Sequence, residues 1–214
     1  DYQRQLLAIK IRQREGATLE VAVDAIDLDV VHDCATSSGR SLPGAIFVGS
    51  RVVARNYGLA PRSYLLQNDG TGRFADVTLE KAPELSTVGM VSSATWTDYD
   101  GDSQLDLIVV GEWMPVTAFR NAKGGKLERV ELKGLEKSHG WWNTVTAGDV
   151  NGDGRADLVL GNLGLNSYIR ASREEPARLY VHDFFENDAL EQVLTFYKHG
   201  VSYPLMGRDD FVRF

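Results

Sequence analysis

Residues 149–157 read D-V-N-G-D-G-R-A-D, and residues 98–106, 51 positions earlier, read D-Y-D-G-D-S-Q-L-D. The likeness extends beyond the loops. Residues 89–108 align with residues 140–159 without a gap, so Gly89 meets Gly140, Asp98 meets Asp149, Gly101 meets Gly152, Asp102 meets Asp153 and Asp106 meets Asp157. In both copies oxygen-bearing side chains stand at positions 1, 3, 5 and 9 of a nine-residue loop, and an apolar run such as Leu107–Val110 follows. Self-similarity at a fixed period of this size marks a chain built from stacked or radially arranged units.

A second element alternates with the first. Residues 64–78 (Y-L-L-Q-N-D-G-T-G-R-F-A-D-V-T) combine an apolar strand, an Asn-Asp-Gly turn and a strand carrying Phe74 and Val77. Residues 117–131 repeat the plan, with Asn121, Gly124 and Gly125 expected in the turn, because Asn and Gly tolerate the positive φ of tight hairpins. A fainter copy surrounds Arg14-Glu15-Gly16, ahead of Leu19 and Val21. Loop, buried strand and hairpin together make four short strands per roughly 50 residues, the content of a β-propeller blade. A β-sandwich with an accidental repeat is the alternative. Helix is expected to be minor, with one short turn at Arg173–Glu175 before Pro176.

The acidic loops point to a metal. Asp98, Asp100, Asp102 and Asp106, and again Asp149, Asn151, Asp153 and Asp157, supply hard oxygen donors at alternate positions. Ca²⁺ takes six to eight such donors at about 2.3–2.6 Å, and Gln104 and Arg155 at position 7 can add backbone carbonyls. Carboxylates packed this closely repel one another without a counter-ion, and an all-protein oxygen cage suits Ca²⁺ better than Mg²⁺. An EF-hand needs a bidentate Glu at position 12, where Val109 and Leu160 stand here. A third loop, D-F-F-E-N-D-A-L-E, retains Asp183, Asn187 and Glu191 but has Phe185 at position 3. Asp24, Asp27, Asp29 and Asp33 fit no such register and are expected at strand ends or turns.

The motif D-x-N-G-D-G-x-x-D followed by L-V-L-G resembles the FG-GAP repeat of integrin-α-type propellers and its bacterial VCBS relatives. The segments N-Y-G-L-A-P-R-S-Y-L-L-Q-N-D-G, V-V-G-E-W-M-P, G-W-W-N-T and G-N-L-G-L-N-S resemble the bacterial cartilage-acidic-protein-like branch. The resemblance covers about residues 45–210. It implies an all-β, calcium-bound propeller, usually seven-bladed, on exported or cell-surface proteins that bind or scaffold and are not usually enzymes. A seven-bladed ring needs about 350 residues, so 214 residues supply about four blades of a larger propeller. Residues 46–214 are assigned to the repeats and residues 1–45 to a degenerate blade or N-terminal segment. The start at Asp1, without Met or a signal-like segment, fits a processed or partial chain.

Composition narrows the function. The net charge of −7 argues against a nucleic-acid partner, whose phosphates call for a basic surface. The seven carboxylates of the two intact loops equal that whole charge, so the acidity reads as two local demands for cations. Apolar residues make up 43%, enough for a core, yet no run reaches the ~20 residues of a membrane-spanning helix. Cys34 alone makes no intrachain disulfide. His32, His139, His182 and His199 are scattered, and no G-x-S-x-G or H-E-x-x-H motif occurs. Trp96, Trp113, Trp141 and Trp142 are read as packing between blades rather than as a sugar platform. The expectation is a non-enzymatic, extracytoplasmic, Ca²⁺-binding module for a protein or glycan partner at the cell surface. The rival is a carbohydrate-active propeller, a lyase or hydrolase, with structural calcium. A subunit of an outer-membrane complex is a third possibility.

Overall fold

The computed structural model describes residues 8–12, 18–22, 32–36, 44–71, 73–165, 167–187 and 189–207, with side chains from residue 44 onward. Strands β1 (Ala8–Arg12) and β2 (Thr18–Ala22) pair antiparallel from Ala8↔Ala22 to Arg12↔Thr18. They flank the faint hairpin of the sequence, whose turn at Arg14-Glu15-Gly16 lies outside the described residues, as do Asp24, Asp27 and Asp29.

The next sheet is a four-stranded antiparallel meander of β3 (His32–Thr36), β4 (Ala45–Gly49), β5 (Tyr64–Asn68) and β6 (Phe74–Asp76). The helical turn α1 (Thr78–Lys81) and a 3₁₀ turn over Pro83–Thr87 lead into a second meander. It contains β7 (Met90–Thr97), β8 (Asp106–Met114), β9 (Thr117–Ala122) and β10 (Lys126–Val130). A third unit has β11 (Gly140–Gly148) and β12 (Asp157–Asn162), and a last sheet has β13 (Arg178–His182), β14 (Glu191–Lys198) and β15 (Val201–Pro204). The chain is thus nearly all β, in antiparallel sheets of propeller-blade type, and among the described residues the sheets do not close into a ring.

Two units reach the expected four strands, and the third falls short, its β11 and β12 joining β7–β10 in one six-stranded sheet. Asp183 follows Asp149 by 34 residues instead of 51, a deficit about the size of two outer strands and their turns. The residues after β12 alternate no apolar pattern and end at Pro176, which has no N–H to give a ladder.

Core formation follows the period-two rule on β8. Leu107 and Val109 join Phe47, Leu65, Leu85, Val91 and Phe119 in one cluster between the first and second meanders. Ile108 and Val110 point the other way, to Val116, Ala118 and Val145, with Trp142, Leu158 and Leu160 packed on them. A strand buried on both faces reads as an unbroken apolar run, and L-I-V-V is that run. Trp96 packs on the first cluster and Trp142 on the second, as expected of aromatic side chains between blades.

Two local expectations are corrected. Arg173–Glu175 forms a bend, closed by the Glu175 N–H on Ser172 Oγ at 3.0 Å, while the helical turns stand at Thr78–Lys81 and Pro83–Thr87. Thr78 is drawn inward there because its Oγ1 accepts the Leu65 N–H at 2.8 Å. Asn121 lies within β9 opposite Leu127, not in the turn, which spans residues 123–125. It is buried because its N–H reaches Asp106 Oδ1 at 2.8 Å and its Nδ2 reaches Leu105 O at 3.0 Å.

Candidate metal centre

The first acidic loop joins β7 to β8 and the second joins β11 to β12. β7 and β11 both run antiparallel to β8, so the two loops leave the sheets at the same end. The opposite end carries the β8–β9 connection and the chain between β10 and β11.

The repeat extends to individual hydrogen bonds. Asp98 Oδ1 accepts the N–H groups of Gly101 (2.8 Å) and Asp102 (3.1 Å), and its Oδ2 accepts that of Ser103 (2.9 Å). Asp149 does the same toward Gly152 (2.7 Å), Asp153 (3.1 Å) and Gly154 (2.9 Å). Position 9 closes each loop: Asp106 Oδ2 accepts the Tyr99 N–H at 3.3 Å, and Asp157 Oδ2 the Val150 N–H at 3.0 Å. Position 4 is glycine in both, at φ 80° and 79°, a conformation in which a Cβ is strained.

These bonds turn the side-chain oxygens inward. One carboxylate oxygen from each of Asp98, Asp100 and Asp106 lies within 4.8 Å of the others. Asp102 is not in that group; its Oδ1 accepts the Gln104 N–H at 2.8 Å. In the second loop Asn151 Oδ1 accepts the Asp153 N–H at 2.8 Å, and Asp153 Oδ1 the Arg155 N–H at 2.9 Å. At position 7, therefore, Gln104 and Arg155 direct their N–H groups back into the loops.

The electrostatics differ between the copies. Asp106 is fully buried, and burial pushes its carboxyl up to about 6; Asp100 and Asp102 push the same way against the pull of the Asn121 and Tyr99 N–H groups. Burial, followed by the Asp106 charge, also raises the Tyr99 phenol. Asp149 is exposed, and the Gly154 N–H holds its carboxyl below the usual range. A buried carboxylate kept short of full ionisation beside two others is a set of donors that a cation satisfies. Every donor is oxygen, and that chemistry suits a hard divalent ion of the calcium type.

The third loop, between β13 and β14, has the same form. Glu191 Oε2 accepts the Phe184 N–H (2.8 Å), Asp183 Oδ1 that of Asn187 (3.0 Å) and Asn187 Oδ1 that of Ala189 (3.0 Å). Glu186 holds position 4 at φ 52° without being glycine. Phe185 at position 3 brings an exposed ring where the other loops bring oxygen.

Sequence reasoning missed a cluster at the opposite end. Glu112 is buried and accepts Arg51 Nε (2.8 Å) and Nη2 (2.5 Å) on Oε1 and the Tyr57 hydroxyl (2.5 Å) on Oε2. Trp113 Nε1 donates to Tyr57 Oη at 2.9 Å, and its ring lies 5.3 Å from that of Trp141. The signal was present as one carboxylate inside the apolar run V-V-G-E-W-M. The cluster ties the 50–63 connection of the first meander to the second and third units.

No helix among the described residues is long and apolar enough to cross a membrane. No curated protein matches the chain. From the first aspartate of one loop to the strand behind the next, residues 98–160 match the family described as FG-GAP-like repeat.

Proposed function

We propose that the protein is a non-enzymatic, calcium-stabilised β-propeller module that holds a protein or glycan partner outside the cytoplasm. The likeness to FG-GAP-like repeats supports a binding or scaffold role. The calcium reading rests on one observation: three carboxylates, one of them fully buried, converge within 4.8 Å in a loop whose backbone aims them inward. Asp98, Asp100 and Asp106 hold the first ion, and Asp149, Asn151 and Asp157 the second. The ion cancels carboxylate repulsion and fixes the entry to a buried strand, so its role is structural. Extracellular calcium modules bind with dissociation constants of about 10⁻⁴–10⁻³ M, a range matched to millimolar external calcium. The resemblance of the segments quoted above supports reading the chain as a relative of the bacterial cartilage-acidic-protein-like branch.

Calorimetric titration with CaCl₂ and MgCl₂ tests the reading. Two calcium equivalents with a clear preference over magnesium are expected. Absence of calcium binding at 10 mM overturns the metal assignment and leaves the fold standing. Turnover on a panel of polysaccharides would instead support the rival carbohydrate-active reading, and co-purification with a membrane partner the outer-membrane one.

A further inference from the structure

The end of the molecule opposite the metal loops carries a groove of about 350 Å³ between the 3₁₀ turn, the β8–β9 connection and the chain after β10. Its floor is apolar: Val116 is buried in the second core cluster, and Val130, Leu132 and Leu135 pack on that cluster. Its rim is charged. Glu84, Glu131 and Glu136 contribute three carboxylates against the one guanidinium of Arg129, and all four residues are exposed. The wall is held in place by its own backbone. The Leu135 N–H donates to Leu132 O at 2.9 Å, Ser138 Oγ accepts the Val116 N–H at 3.0 Å, and Glu136 Oε1 accepts the Gly134 N–H at 2.9 Å. That last bond also holds the Glu136 carboxyl below its usual range, so its charge persists at neutral pH.

An apolar floor inside an acidic rim is complementary to one kind of side chain. Lysine and arginine lay an aliphatic stem along apolar surface and keep a charged head among polar groups. The volume lies near the lower limit of ligand pockets, which suits one or two side chains better than a folded ligand. We propose that this groove docks a protein partner that presents a lysine or arginine side chain from an extended segment. The inference rests on the reading of the module as a partner-binding one and names the chemistry of that partner.

The test uses the whole chain, loaded with calcium, and three acetylated, amidated pentapeptides of the pattern Gly-Leu-X-Leu-Gly. X is lysine, its uncharged isostere norleucine, or glutamate. Amide chemical shifts are followed by NMR during titration, and sedimentation is run at the same protein concentrations. The lysine peptide is expected to move the resonances of Val116, Thr117, Val130, Leu132 and Leu135, with an affinity that falls as salt rises. Norleucine should bind less tightly and glutamate least. The double variant Glu84→Gln/Glu131→Gln removes two rim charges and should weaken the lysine peptide about two- to thirty-fold, as two exposed ion pairs imply. Its calcium-induced rise in melting temperature should match the unaltered chain, which separates failure of the groove from failure of the calcium reading. Equal binding of the lysine and norleucine peptides, shifts confined to other residues, no binding at 10 mM peptide, or a groove closed by a second copy would each overturn the proposal.

Discussion

Asp106 makes the apo protein vulnerable to rising pH. Its carboxyl is fully buried and is pushed from the ordinary 3.8 to about 6, chiefly by burial. A raised carboxyl pKa means that the unfolded chain releases its proton first, so the stabilisation is complete below about pH 4 and is lost as pH rises through 6. The difference of 2.2 units corresponds to about 3 kcal/mol in the metal-free protein at neutral pH. About 2 kcal/mol of that is lost between pH 4.5 and pH 7.5, so at about 2–4 °C per kcal/mol for a chain of this size the metal-free melting temperature should fall by about 4–8 °C across that window. Asp149 acts in the opposite sense, since its depressed carboxyl contributes stability that is lost as pH falls, but only below about pH 4. Calcium at 10 mM should remove most of the slope above pH 5. The variant Asp106→Asn tests the cause. It keeps an oxygen for the Asn121 N–H, loses the acceptor for the Tyr99 N–H, and cannot ionise. Its metal-free melting temperature should be nearly flat between pH 5 and pH 7.5 and should exceed that of the unaltered chain at pH 7.5. Its calcium response should drop to that of one loop. Differential scanning calorimetry in chelator-treated and calcium buffers reads all of this. A metal-free stability that rises with pH across this window, or a full calcium response in Asp106→Asn, would falsify the argument.

Other substitutions probe separate parts of the structure. Phe185→Asp restores oxygen at position 3 of a loop that keeps part of the hydrogen-bond pattern of the other two, and calorimetry should then count one more calcium equivalent than in the unaltered chain. Asp149→Ala removes the acceptor of three backbone N–H groups and one ligand; binding stoichiometry should fall by one, with a lower midpoint in urea unfolding. Glu112→Ala removes the partner of Arg51 and Tyr57, and the same measurement should show a loss of about 1–3 kcal/mol, since Arg51 is partly open to water. Burial, then the Glu112 hydrogen bond, raises the Tyr57 phenol, so ultraviolet titration should show that tyrosine ionising at lower pH in Glu112→Gln than in the unaltered chain, yet still above its ordinary value because burial remains. Gly58→Ala places a methyl against Val181 and Leu179 at φ 97°, and should lower the melting temperature without altering calcium stoichiometry.

What was legible in the sequence was local and periodic. The 51-residue repeat, the loop positions and the run L-I-V-V foretold the strands, the loops and the burial of β8, because each depends on residues near one another in the chain. Long-range choices were not legible. Asn121 has the turn propensity of any asparagine, and it lies in a strand because Leu105 and Asp106 supply partners from 16 and 15 residues away. Glu112 has no local reason to be buried, since its partners Arg51 and Tyr57 stand 61 and 55 residues earlier. Position 7 of the loops was read as a source of carbonyl oxygen, whereas the visible constraint is on its N–H. The third loop shows the same limit in reverse: its sequence looked damaged, yet it keeps the bonds from positions 2, 5 and 7 to its side-chain oxygens.

The pairing of β11 with β8 has a mechanical side. Gly140 and Trp141 pair with Met114 and Glu112 only at the end away from the acidic loops, so the second and third units share backbone hydrogen bonds there, like pages at a spine. At the loop end β8 pairs with β7 and β9 while β11 pairs with β12, and no ladder crosses between the units. Small angular movements about the spine are therefore greatest at the free edge, where the carboxylates stand. Under the proposed metal reading, an ion that stiffened each loop would act at the edge where the described strands of the two units share no ladder.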